Sequence, residues 1–227
     1  MRRILFTQLT HNDLIGLVKL EDHRIRADPW DEMARGDLTE NERQFIEQVL
    51  VGLRRVTPSL VNEATVWCKA IYPLLSLAET DDLVAQADVP LSGRIGDVEL
   101  AGNADGAFGT PSSGDLEAPF LIVVEAKRGV EGSNPVPQLY GEILAAACLN
   151  AAVAGQSAIR IYGCFTVADS WTFVRADLHG LGGERPTMIV VSSREISEKT
   201  EAATIVKILK SIVAEHRAST ASQPLFL

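Results

Sequence analysis

The sequence predicts a mixed α/β (α+β) fold, a central sheet flanked by helices, and three observations carry that expectation. Phe120–Val124 is an unbroken apolar run rich in Ile and Val, which reads as a strand buried on both faces. Ala158–Val167 and the alternating WTFVRADL segment after Asp169-Ser170 read as two more strands. Helical periodicity brackets them, at Glu40–Arg55, from Leu60 onward, at Pro137–Ala154 and at Glu198–Arg217.

The chain has 227 residues, enough for one good core with an appendage, and 46% hydrophobic with 22% charged residues is a globular balance. No apolar run approaches a membrane span and the start, MRRILFTQLTHND, is too short in apolar residues for a signal peptide, so the cytoplasm is the expected location. Cys68, Cys148 and Cys164 are far apart in apolar segments and fit neither a disulfide framework nor zinc spacing, so buried thiols are expected. The four histidines form no metal or nucleophile motif.

Residues 1–37 hold short apolar patches interrupted by Pro29 and Gly36 and are read as an N-terminal extension packing on the core or on a second subunit. Trp30 is its packing anchor. The main domain is placed at 38–217 and a loose tail, with Leu225 and Phe226, at 218–227. Thr39 and Glu42 form a capping box for the Glu40–Arg55 helix, whose inward positions are Phe45, Ile46, Val49, Leu50 and Leu53. The next helix runs from Leu60 with Val61, Thr65, Cys68 and Tyr72 along one stripe, and Pro73 kinks or divides it.

Leu83–Leu91 reads as a strand, with a turn at Gly93 and Gly96. Asp97–Phe108 is the next, and Gly102 and Gly106 suggest close backbone approach or a bulge beside Asp105. Gly109–Ala118 reads as a hairpin loop, leading into the Phe120 strand. Pro137 suits a first helical turn, and Gln138 and Glu142, one turn apart, both look back toward Glu125. In WTFVRADL, Trp171, Phe173, Arg175 and Asp177 face one way and Thr172, Val174, Ala176 and Leu178 the other. HGLGGERP is a turn, Met188–Val191 a last strand, and the closing helix turns Ala202, Ile205, Ile208, Leu209 and Ile212 inward.

Charge then appears where the buried strand ends. Glu125 and Lys127 occupy alternate positions, so both leave the same face, and an unpaired buried charge costs several kcal/mol. A metal ion explains such a pair. Mg2+ (or Mn2+) takes one or two carboxylates with water and substrate phosphate completing its shell, and a hairpin brings Asp105 beside Glu125. The Ala126 carbonyl is a further candidate ligand, and Lys127 would orient or deprotonate a metal-bound water. Metal, water and lysine together describe phosphodiester hydrolysis.

Asp105, then Glu125-Ala126-Lys127, then Gln138 opening a helix, resembles the PD-(D/E)XK nuclease superfamily, over roughly Leu60 to Phe173. The resemblance implies a restriction-endonuclease-like core of helix, three strands, helix, strand. It puts the Asp on the second strand, the E-x-K on the third and the Gln on the following helix. It also implies an acidic residue from the helix before the first strand, for which Glu63 is the candidate and Glu79 the runner-up, and a role for Gln138 in positioning Lys127 or the water. The sequence departs from the family in having Ala104 where a Pro precedes the Asp, and its N-terminal segment has no counterpart in the core. The implied activity is Mg2+-dependent cleavage of nucleic acid, with DNA as the expected substrate.

The net charge of -9 opposes tight free-standing DNA binding, which depends on Lys and Arg neutralising phosphates. It leaves open action as a homodimer or with a partner subunit, and it speaks for the alternative, a catalytically inactive binding or assembly subunit on the same fold. Arg128 is the one basic residue adjoining the site, and it reads as a solvent-facing strand end ahead of a phosphate contact.

Overall fold

A computed structural model describes residues 2–26, 28–57, 60–127 and 134–221. Arg128 and the 222–227 end of the tail lie outside these residues. In chain order the elements are β1 (Arg2–Leu5), α1 (His11–Leu17), β2 (Lys19–Ile25), α2 (Asp28–Met33), α3 (Glu40–Leu53), α4 (Glu63–Val66), α5 (Tyr72–Ser76), β3 (Val84–Ile95), β4 (Val98–Ser112), β5 (Asp115–Lys127), α6 (Val136–Ala154), β6 (Ala158–Val167), β7 (Ser170–His179), β8 (Thr187–Ser192), β9 (Ile196–Ser197) and α7 (Glu198–Ala221). They form a mixed α/β fold around one sheet of order β1-β4-β5-β6-β7-β8-β2, in which β3 also pairs with β4 and β9 with β7.

The apolar run of β5 becomes an interior strand of this sheet, antiparallel to β4 on one side and parallel to β6 on the other. Each face carries its own core. Ile122, Val124 and Ala126 join Trp171 and Phe173 beneath α3, α5 and α7, whereas Val123 joins Val174, Ala176 and Leu178 beneath α6. The alternation read from β7 is therefore the one observed. Trp30 is 3% exposed and stacks on Phe173 with centroids 5.8 Å apart, the anchoring role expected of it.

The segment expected as an N-terminal extension is woven into the sheet instead. β1 runs parallel to β4, with Ile4 opposite Leu100, and β2 runs parallel to β8 at the other edge, with Leu20 opposite Met188. Phe6, Leu9, Leu14, Leu17 and Val18 are buried in the second core, so no boundary falls at residue 37. A Thr10–Asp13 capping box starts α1, and the expected Thr39–Glu42 box starts α3. Phe45, expected inward, is 38% exposed, because Ile46, Val49, Leu50 and Leu53 already fill the buried stripe of α3.

The helix expected from Leu60 begins at Glu63, where Asn62 accepts a hydrogen bond from the Thr65 N–H at 2.8 Å. Pro73 sits in the first turn of α5, so the segment is divided as expected. Trp67–Ile71 form a π-helical turn between α4 and α5, closed by the Tyr72 N–H on the Trp67 carbonyl, the wider turn relieving the clash a proline ring makes with the carbonyl four residues back. The extra residue shifts the buried stripe to Val66, Ala70, Ile71, Leu74 and Leu75. Cys68 and Tyr72, expected on that stripe, are exposed for the same reason, and of the three cysteines Cys164 is the one fully buried.

Two turns also differ from expectation. Gly93 lies inside β3, where a Cβ would come within 2.5 Å of the Ala145 Cα, and the turn falls at Gly96. The Gly109–Ala118 loop shrinks to Ser113-Gly114, both at positive φ (50° and 98°), as a tight hairpin turn requires. That turn lies at the end of the hairpin away from Asp105 and Glu125.

α6 is enclosed on both sides. Leu139 and Ile143 pack against Gly163 of β6, Ala145 against Gly93 of β3, and Gly141 against Phe6 and Leu9. A helix covered all round over Leu139–Ala147 needs no polar stripe there, and its exposed end falls at Ala152–Ala154. This is why α6, contrary to expectation, is long and apolar enough to cross a membrane by composition alone, the one such helix among the described residues, although more than half of it is buried in the core.

Candidate active site

The site forms where the β4–β5 ladder ends. The last regular pair there is Gly106 with Val124, so Asp105 and Glu125 are the next residues on each strand. Beyond that pair the Ala126 N–H has lost its strand partner, and Asp105 supplies one: its Oδ2 accepts from Ala126 N at 2.6 Å. Asp105 thus closes the open ladder with one oxygen.

Glu125 is 0% exposed and Lys127 17% exposed by side chain, and the two form a direct ion pair through Glu125 Oε1. Gln138, in the first turn of α6, locks the arrangement. Its Nε2 donates to Glu125 Oε2 at 2.7 Å and to Glu142 Oε1 at 3.1 Å, while its Oε1 faces Lys127 Nζ at 3.4 Å. Helical spacing of four residues is what places Gln138 and Glu142 on one face toward β5. Glu142 is itself 0% exposed, and its Oε2 has no hydrogen-bond partner.

Electrostatics follow from this crowding. Burial pushes the Glu125 carboxyl up to about 7, the neighbouring Asp105 adds to the rise, and Lys127 opposes it. Burial also raises the Glu142 carboxyl well above its ordinary 4.5, and Glu125 beside it adds to the rise. Asp105 is raised by burial, with Glu63 and Asp88 contributing. For Lys127, burial pulls downward but Glu125, Asp105 and Glu63 outweigh it, and the ammonium is stabilised.

Glu125, Asp105 and Glu63 all bear on the one ammonium of Lys127, a set of acids whose ionised forms a divalent cation would favour. Among the described residues no three His, Cys, Asp or Glu side chains form a ready-made ligand cage. Mg2+ does not require one, since it keeps several waters and uses one or two carboxylates. Asp105 and Glu125 fit that need as hard oxygen donors. The Ala126 contact with Asp105 runs through its N–H, so the carbonyl expected as a ligand plays no part in it.

Of the residues expected from sequence, Asp105, Glu125, Ala126, Lys127 and Gln138 are brought together. Glu63 is exposed, lines the recess beside Asp105 and acts on it through space. Glu79 is employed elsewhere: its Oε1 accepts from the Ala85 N–H at 3.0 Å, and it lies against the Tyr72 hydroxyl. Three participants were not among the expected site residues. Glu142 was recognised only as facing Glu125, and its burial follows from the enclosure of α6. Trp67 and Asp88 line the recess next to Asp105, and a hint of Trp67 lay in its position one turn after Glu63. No protein-family model matches the chain, and no curated protein matches it.

Proposed function

We propose that this chain is a Mg2+-dependent nuclease of the PD-(D/E)XK type, with a restriction-endonuclease-like core, that hydrolyses DNA phosphodiester bonds. The observation that carries the reading is the buried Glu125–Lys127 pair beside Asp105, bridged by Gln138. The element order α5, β3, β4, β5, α6, β6 supports it, with Asp105 on the second of three antiparallel strands, the E-x-K on the third and Gln138 on the next helix.

In this reading Asp105 and Glu125 hold the ion, with Glu63 at the edge of the site. The ion, when bound, supplies Lewis acidity and a water of lowered pKa. Lys127 presents a fixed positive charge to the developing negative charge on the phosphoryl oxygens, and its elevated pKa suits that role better than proton abstraction. Gln138 holds Glu125 and Lys127 in one geometry. The protein works in the cytoplasm, with a second copy or a partner subunit supplying the basic surface that a net charge of -9 lacks.

Purified protein with Mg2+ or Mn2+ should cleave DNA, and Asp105→Ala and Lys127→Ala should each abolish cleavage with the circular dichroism spectrum unchanged. Metal-dependent cleavage retained in either variant defeats the assignment. The closed ion pair between Glu125 and Lys127, together with the net charge, favours as a second reading a binding or assembly subunit whose site no longer takes metal. Calorimetric titration with Mg2+ separates the two, because uptake that disappears in Asp105→Ala belongs to the nuclease alone.

A further inference from the structure

Beside the carboxylates lies a recess of about 280 Å3 that shares Asp105 and Ala126 with them. Its walls are mostly apolar: the methyls of Ala64, Ala87 and Ala126, and the Trp67 indole. Trp67 projects from the π-helical turn onto β4 at Gly106, the residue after Asp105, where a Cβ would overlap the ring. The absence of a side chain at Gly106 is therefore what lets the tip of the indole reach β4 beside the acid site. Trp30 and Trp171 are 3% and 0% exposed, whereas Trp67 is only partly buried.

Resting on the nuclease reading, we propose that this recess receives a nucleobase next to the scissile phosphate, stacked on Trp67. Base and phosphate are joined through one sugar, so a phosphate at Asp105 and Glu125 brings a neighbouring base to the adjoining recess. Glu63 and Asp88 at the rim repel a phosphate and leave a neutral base unopposed, so the two parts of a nucleotide are sorted between two adjacent compartments. Aromatic stacking of this kind tolerates every base, because each has a π-face. Trp67 is then a positioning residue, setting the register of the strand over the carboxylates.

The test titrates the wild-type protein, with Ca2+ replacing Mg2+, with a single-stranded oligonucleotide and with an abasic strand of equal length, reading tryptophan fluorescence. The base-bearing strand should quench emission and bind about tenfold more tightly than the abasic one, the order of magnitude of one stacked base. Trp67→Leu should remove both the quench and the advantage, and Trp67→Phe should keep the advantage. Equal affinity of the wild type for the two strands, or a Trp67→Leu variant that keeps the preference, overturns the proposal. Cleavage by the same wild-type sample in Mg2+ without a base preference overturns the recess and leaves the nuclease reading standing; no cleavage and no binding of either strand overturns both.

Discussion

Glu198 opens α7 at the core and is 0% exposed, with Oε2 accepting from Trp171 Nε1 at 2.9 Å and Oε1 without a hydrogen-bond partner. Burial pushes its carboxyl from the ordinary 4.5 up to about 7, the nearby Asp169 adds to the rise, and Lys199 opposes it. A group whose folded pKa lies above its unfolded pKa binds its proton more tightly when folded. Its stabilising share is full below about 4.5 and is lost as pH climbs through about 7. Each unit of that gap is worth about 1.4 kcal/mol, so ionising Glu198 costs the fold about 3 kcal/mol by pH 8. Glu198→Gln keeps the acceptor for Trp171 and removes the ionisation. Urea unfolding of both proteins at pH 5 and pH 8 isolates the effect, because Glu125 and Glu142 contribute to the slope of each alike. The wild type should lose about 2 to 3 kcal/mol more than the variant between the two pH values, a little less than the full shift because the unfolded carboxyl is already mostly ionised at pH 5. Parallel pH dependences would refute the claim that Glu198 is buried in the folded protein with a raised pKa.

Mg2+ at a hundred times its dissociation constant should stabilise the wild type by about 3 kcal/mol, raising its melting temperature by several degrees, and Asp105→Asn should abolish the shift in differential scanning fluorimetry. Gly93→Val forces a side chain into the Ala145 backbone, and its loss of stability should meet or exceed the 1–3 kcal/mol or so typical of overpacking, read as a drop in the urea midpoint. Thr39→Ala removes the acceptor for the Glu42 N–H and should cost about 1 kcal/mol, with activity unchanged. Gly106→Ala should expel Trp67 from β4, seen as a change in tryptophan emission with the rest of the fold retained.

What could be read from sequence were features whose cause is local. The apolar run of β5, the alternation of β7, the Thr39–Glu42 box and the four-residue spacing of Gln138 and Glu142 each depend on neighbours a few positions away. The acid site was legible because Glu125 and Lys127 break an apolar strand at its end. β1 and β2 were not, since their partners lie about 100 and 170 residues distant and parallel pairing leaves no turn signature. The π-helical turn was hidden as well: a proline announces that a helix must adjust, not whether it kinks or widens. Phe45 shows the limit of periodicity, which admits five apolar positions to a stripe that tertiary packing fills with four.

The placement of β1 and β2 has a consequence for biosynthesis. Lys19 pairs with Thr187, so β2 leaves the ribosome about 170 residues ahead of its partner strand. Until then β2 stands without its neighbour, open to pairing with any other extended chain nearby. The nascent protein is most at risk of aggregation before β8 emerges, and a fragment ending ahead of residue 187 leaves that strand permanently bare.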